Sequence, residues 1–329
     1  MSSGRKNVDR RRFLAGCAGL SSWLTANRAF AQSGPLTKII YPFAAGGGGD
    51  TFCRLLAEHL RLALDRSIIV ENRTGADGLN GIKSTMNANP DGTTILVTTG
   101  PTMYLLPMIE AKPSFDLSRD FVPVSLLGRL EFAIVTGAGT DAKTFAQLVA
   151  WLKANPAKAS YGVPSSGTIP HFTGTKLEQA LGIAMTRVPF RGGAPVVQAL
   201  VGGHLPFAII TLTDAIPQHR SGGVRILAVS SQTRSPFLLD VPTLRESGID
   251  LVADAWYGMW LPTGGSADFA KQLSAAVATV LAKPEVKEKL LAIGLIPVGS
   301  TPEELSRELA ANTAFWQPIV KATGYKITD

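Results

Sequence analysis

At 329 residues, 45% apolar and 17% charged, the chain is long enough for one large or two medium globular domains with cores of their own. Its formal charge of +7 sits mostly at one end, where Arg5, Lys6, Arg10, Arg11, Arg12 and Arg28 face only Asp9. The remainder is close to neutral and has no basic blocks interleaved with aromatics, which argues against a nucleic-acid partner. Two cysteines are too few for a disulfide scaffold.

The N-terminal segment, residues 1–31, reads as a signal peptide and is set apart from the fold. Arg10-Arg11-Arg12-Phe13-Leu14-Ala15 has the form of a twin-arginine export motif. The apolar stretch from Phe13 to Ala26 is shorter than the roughly 20 residues of a membrane span. Ala29-Phe30-Ala31 fits a small-x-small cleavage site that would leave Gln32 first, and the mature chain in the periplasm. Leu14-Ala15-Gly16-Cys17 has lipobox character, but little apolar sequence precedes it, so lipidation of Cys17 is the lesser reading. Cys53 shares a helical stripe with Ala57, Leu60 and Leu64 and is expected to be a buried apolar side chain rather than a nucleophile.

After Gln32, short β-branched runs alternate with helical stretches, a pattern of parallel α/β architecture. Strands are expected at 38–43, 67–71 and 93–98, with helices at 50–64 and 79–87. In the first helix Phe52, Leu56 and Leu60 recur every fourth residue, and Arg54, Glu58 and Arg61 lie on another face. Residues 122–135 form a long extended run interrupted by Gly128, followed by a helix at 144–154. The alternation then restarts, with strands at 160–163, 185–190, 206–211 and 225–230 and helices at 171–181 and 195–201. A second apolar extended run, 256–261, leads to helices at 268–281 and 284–292. A last helix opens with the capping box Thr301-Pro302-Glu303-Glu304. The two long apolar runs are expected to cross between two lobes and form a hinge, giving lobe 1 as 32–134 plus 257–329 and lobe 2 as 135–256.

Four glycine-rich loops each follow an expected strand: 43–50, 72–78, 164–168 and 190–194. The first, Phe43-Ala44-Ala45-Gly46-Gly47-Gly48-Gly49-Asp50, combines glycines that let amides approach a ligand with Asp50 as an expected helix N-cap. It lacks the Lys-Ser or Lys-Thr of a Walker A loop and the spacing of a dinucleotide fingerprint. A further loop, 98–102, follows the third strand. Together these loops offer amides, hydroxyls and helix N-termini, with no metal-ligand cluster, paired carboxylates or Cys/His pair. Such a site suits binding more than turnover, so no enzyme activity and no cofactor are expected.

Three readings compete for His171: a brace for the 164–168 loop, a ligand contact, or a general base for Ser165 or Ser166 in a serine-type hydrolase. The third lacks a Gly-x-Ser-x-Gly elbow. Trp256 and Tyr257 read as hinge or core aromatics, or as a platform for a flat ligand. Asp214 either caps a short helix or meets an amine on the ligand.

These motifs resemble those of the Bug family, the periplasmic receptors of tripartite tricarboxylate transporters. Residues 42–50 are similar to the family pattern Pro-Phe-x-x-Gly-Gly-x-x-Asp. Residues 70–78, Val-Glu-Asn-Arg-Thr-Gly-Ala-Asp-Gly, resemble Val-Glu-Asn-Arg-Pro-Gly-Ala-Gly-Gly, departing at Thr74 and Asp77. Residues 90–96, 165–171, 188–195, 234–236 and 240–243 are similar to further family motifs, so the resemblance spans nearly the whole mature chain. It implies a type II periplasmic-binding fold of the α/β class, two lobes each built as a β-sheet flanked by helices, with two crossing strands as the hinge. It implies a monomer that grips a small carboxylate (a di- or tricarboxylate, an amino acid or an aromatic acid) and partners the transporter's membrane components. Carried onto this chain, the binding candidates are Phe43, Ala45, Gly46, Gly47, Asp50, Ala76, Gly78, Thr102, Ser165, Ser166, Gly167, Thr168 and Ala194, with Asp77, His171 and Asp214 beside them. Asp77, where the family usually has glycine, would repel a second carboxylate or hold an amino group.

Overall fold

The computed structural model describes residues 35–327. The twin-arginine motif, Cys17 and the cleavage point at Ala31 lie outside the described residues. The chain opens with β1 (Thr37–Tyr41), α1 (Gly48–Leu64), β2 (Ile68–Asn72), α2 (Leu79–Met86), β3 (Thr94–Thr99), α3 (Gly100–Ile109) and the one-turn α4 (Leu117–Asp120). The 16-residue strand β4 (Phe121–Thr136) follows. Next come α5 (Phe145–Ala154), β5 (Ser160–Val163), α6 (Ile169–Leu181), β6 (Thr186–Pro189), α7 (Gly193–Val201), β7 (Phe207–Thr211), α8 (Leu212–Arg220) and β8 (Arg225–Val229). The chain ends with β9 (Asp254–Pro262), α9 (Ala267–Leu281), α10 (Pro284–Ala292), β10 (Ile296–Pro297) and α11 (Pro302–Thr323).

The strands join one curled mixed sheet in the order β2-β1-β3-β9-β4-β7-β5-β6, with β8 and β10 also paired to β4. Its two outer parts are parallel, β1 with β2 and β3, and β5 with β6 and β7, as βαβ units require. The centre is antiparallel because β9 runs against both β3 and β4. Phe121 to Glu131 of β4 pair with β9, whereas Phe132 to Thr136 pair with β7 and β8. One strand therefore belongs to both halves. The β4–β9 register shifts near Pro123 and again next to Gly128, so the expected interruption at Gly128 is an irregularity within a continuous strand.

The chain crosses between the halves at two adjacent places, and buried Ser230 ties them together. Its N–H donates to Phe132 O at 2.9 Å, and its carbonyl accepts from Ala253 N at 2.8 Å. Its hydroxyl accepts from Phe132 N at 3.1 Å and donates to Ala253 O at 2.5 Å. The C-terminal helices pack on the first half: α9 on α1, and α11 on α3 and β4.

Helix α1 buries Phe52, Cys53, Leu56, Ala57 and Leu60, the expected stripe. Its N-cap is Gly47 rather than Asp50, which sits a turn inside, where an acidic side chain favours the positive helix end. Two helices differ from the sequence reading. Residues 98–102, read as a loop, end β3 and begin α3, which is apolar almost all round, holds Pro101 in its first turn and Pro107 inside, and so shows no amphipathic stripe. Helix α8 starts directly at the end of β7, with Thr211 as its N-cap.

Candidate functional site

The crevice lies between the two halves of the sheet, at strand ends. On the first half, residues 42–47 leave β1 and turn into α1. Asp50 shapes this loop: its carboxylate accepts from Gly46 N at 2.9 Å, Arg54 Nε at 2.9 Å and Asn72 Nδ2 at 2.9 Å. Asn72 Nδ2 also donates to Phe43 O at 3.0 Å. Burial pushes the Asp50 carboxyl up, but the Arg54 guanidinium, the Gly46 amide and Asn72 together hold it below the usual carboxylate range. Its oxygens are thus engaged by its own half, and Asp50 positions the loop rather than facing the crevice.

The 75–78 loop follows β2. Gly75, Ala76, Asp77 and Gly78 all have positive φ, at 112°, 46°, 53° and 99°. For Ala76 and Asp77 that costs about 1–2 kcal/mol each, so their placement is enforced by the contacts around them. The enforcing contact of Asp77 is across the crevice. Its Oδ1 accepts from Ser165 Oγ at 2.8 Å and from Ser166 N at 2.9 Å.

A reciprocal contact runs the other way. Asp214, in the first turn of α8, accepts through Oδ1 from Gly48 N at 2.7 Å, in the opening turn of α1. Its Oδ2 accepts from Thr211 Oγ1 at 2.7 Å. Burial raises the Asp214 carboxyl, and the Gly48 amide and Thr211 hydroxyl offset part of that rise. The sequence reading offered a cap or an amine contact; Thr211 caps α8, and Asp214 serves the end of a helix 166 residues away. A third bond, Ala44 N to Arg191 O at 2.9 Å, completes the seam. Approach is close enough that a Cβ on Gly47 would lie 2.8 Å from Asp214 Oδ1, and one on Gly48 would lie 2.4 Å from the Thr213 carbonyl carbon and oxygen.

The candidates fall into three neighbouring spaces. Phe43, Thr102, Ser165, Thr168 and Asp214 line an inner cavity of 50 Å³, together with Tyr41 and Tyr257. Phe43, Ala76, Asp77, Gly78, Ser165 and Ser166 line its mouth, a cavity of 240 Å³ that Arg191 also borders. Gly46, Gly47, Ala194 and Asp214 face a third cavity of 320 Å³ on the flank of α1 and α8. Ala45 is exposed on the loop and Gly167 is buried behind it; neither lines these spaces.

His171 also stands behind the loop. Its Nδ1 accepts from Gly167 N at 3.0 Å, Arg187 Nη1 lies against Nε2, and the Tyr325 ring meets its edge with centroids 4.5 Å apart. Burial, with Arg187 beside it, lowers the His171 pKa to about 4. The ring braces the 165–168 turn and touches neither serine hydroxyl. Ser165 Oγ donates to Asp77 instead, so the nucleophile–base pair of a hydrolase is not assembled here.

Sequence reasoning passed over Tyr41 as a lining residue and treated Tyr257 as a hinge or core aromatic. Both hydroxyls lie by Gly49 under the crevice, and burial drives both phenols well above their usual range. The period-2 alternation of β1 and β9 gave no sign of which strand end would meet a ligand. Among the described residues no group of three His, Cys, Asp or Glu side chains is placed to hold a metal.

Residues 52–325 match the family model described as the tripartite tricarboxylate transporter family receptor. A UPF0065 protein of Agrobacterium vitis, from the TAR-I ttuE–ttuC′ intergenic region, is 32% identical over 93% of this chain and 89% of its own length. BugT of Bordetella pertussis is 29% identical, covering 94% and 95%. Among solved structures, the periplasmic binding protein BugD superposes with a TM-score of 0.83 at 29% identity, over 88% of this chain and 98% of its own. An adipate-bound protein of R. palustris gives 0.84 at 26% identity, with the same coverage. MatC of Rhodopseudomonas palustris with malate bound gives 0.81 at 27% identity, over 87% and 98%.

Proposed function

The chain belongs to the Bug family of tripartite tricarboxylate transporter receptors, and from that premise we propose that it captures a small carboxylate in the crevice between its two halves and hands it unchanged to the membrane components of such a transporter. One observation carries the reading. Each wall of the crevice presents a main-chain N–H that already holds a carboxylate from the opposite wall, Gly48 N for Asp214 and Ser166 N for Asp77. The Ser166 donor lines the open mouth and suits the same group on a solute, whereas the Gly48–Asp214 bond holds the two walls together. Malate and adipate in the two relatives support the ligand class. Charge-assisted hydrogen bonds of about 1.5–3 kcal/mol each reach the roughly 8 kcal/mol of micromolar binding with a handful of contacts and no buried arginine.

The lobes we assign are 32–134 plus 257–329 and 135–256, hinged where β4 passes Phe132 and the chain returns near Ala253. A solute touching both lobes favours the closed arrangement by the contacts it gains there. The receptor acts in the periplasm as a monomer, exported by its twin-arginine signal and cleaved near Ala31.

The test is a thermal-shift screen of the purified protein against di- and tricarboxylates, amino acids and aromatic acids. Calorimetry and mass spectrometry of the recovered solute follow. A receptor is stabilised by at least one acid and returns it intact. An acid consumed in the assay, or a screen in which none of these acids stabilises the protein, would refute the proposal.

A further inference from the structure

Asp77, at the mouth of the crevice, is not explained by carboxylate capture, because it adds negative charge where an anion is to enter. Its carboxylate crosses from the first half to the second and takes two donors there, the Ser165 hydroxyl at 2.8 Å and the Ser166 amide at 2.9 Å. The receiving loop is built around that pair. Ser165 is 1% exposed. Thr168 Oγ1 donates to Ser165 O at 3.0 Å, and the Gly167 amide is taken by His171. The Ser165 hydroxyl and the Ser166 amide are the donors turned to the carboxylate. No ion pair among the described residues neutralises Asp77.

The two cross-crevice aspartates differ in setting. Asp214 is anchored by Thr211 of its own half and faces the inner cavity. Asp77 lines the mouth, is only half-buried, and among the described residues is held by Ser165 and Ser166 of the other half rather than by its own loop. A solute carboxylate entering by the mouth therefore meets a donor pair that already holds a carboxylate.

We infer that Asp77 is a built-in competitor for the Ser165–Ser166 carboxylate nest: it fills the nest in the empty receptor, and cargo binds there by displacing it. This rests on the carboxylate-receptor reading. Once displaced, the Asp77 carboxylate remains beside the cargo. It disfavours a solute with a second carboxylate on that side and is satisfied by one with an ammonium group there. A residue serving only to hold the halves together would have the opposite effect on affinity, because its loss would weaken closure.

The experiment uses Asp77→Gly, which suits the left-handed backbone at this position (φ 53°). Acetate is titrated into isotope-labelled wild type and variant while the Ser166 amide resonance is followed. Succinate and aspartate, which differ by one ammonium group, are titrated by calorimetry. With the nest vacated, acetate shifts the Ser166 amide in the variant at concentrations that leave the wild type unchanged. Succinate affinity rises about tenfold or more in the variant, and the preference for aspartate over succinate shrinks. Succinate binding the variant equally or more weakly overturns the inference, as does a Ser166 amide insensitive to acetate in the variant. If neither protein binds succinate or aspartate while acetate moves the Ser166 amide only in the variant, the nest assignment stands and these acids are eliminated as cargo.

Discussion

Gly48→Ala tests whether the seam between the halves controls binding. An added Cβ at Gly48 would lie 2.4 Å from the carbonyl carbon and oxygen of Thr213, backbone atoms that no rotamer change can move. Relief to an ordinary carbon contact near 3.5 Å needs a local separation of about 1 Å. That separation carries the 2.7 Å Gly48 N to Asp214 Oδ1 bond beyond hydrogen-bond range. A hydrogen bond to a charged group is worth about 1.5–3 kcal/mol. If cargo binds the closed arrangement, affinity falls by the same amount, about 10- to 150-fold. Gly48 is the first residue of α1, where alanine leaves the helical hydrogen bonds in place. The assay is calorimetry with the acid that most stabilises the wild type, alongside urea unfolding and small-angle scattering of the cargo-free proteins. Affinity within threefold of wild type, with an unchanged scattering profile, would show that the seam is not coupled to binding.

Ser230→Ala leaves the buried Phe132 N–H without its hydroxyl partner and removes the bond to Ala253 O, so urea unfolding is expected to show a loss of about 1–3 kcal/mol; a loss under 0.5 kcal/mol would refute the hinge role. Gly100→Ala would put a Cβ 2.3 Å from the Trp256 ring, and the overpacking is expected to cost about 1–3 kcal/mol, partly recovered by adding Trp256→Phe. An additive double variant would place the strain elsewhere. His171 has a folded pKa of about 4, below its unfolded 6.5. As pH falls through this window the unfolded chain takes up the proton first, so stability is full above 6.5 and declines toward 4, by up to about 3 kcal/mol. Urea unfolding of wild type and His171→Gln at pH 7 and pH 4.5 isolates this contribution, and equal pH dependence in the two would show that the ring titrates normally.

Much of the fold was legible because local pattern and burial agree. The Phe52, Leu56, Leu60 stripe, the Thr301–Glu304 capping box and the glycines of the four loops at 43–50, 72–78, 164–168 and 190–194 are short-range features, and the structure contains them all. Helix α3 was not legible because its apolar residues face every direction, leaving no periodicity to find. The site was legible as a set of loops but not as a set of contacts. Nothing within a few residues of Asp214 points to Gly48, and nothing near Asp77 points to Ser165, 88 positions further on. Asp50 shows the converse limit: its type and place suggested a cap or a ligand contact, and only the positions of Arg54 and Asn72 show that its oxygens are already taken.

The path of β9 has a consequence for the newborn chain. Strand β3 sits in the sheet between β1 and β9, and helix α9 covers α1, yet β9 and α9 are made only after the whole intervening half. While the ribosome adds those residues, β3 keeps an open edge and α1 an uncovered apolar side, both of the kind that aggregate or recruit a chaperone. The half that starts first is thus finished last, and a chain stopped short of Asp254 would be left permanently in that unprotected condition.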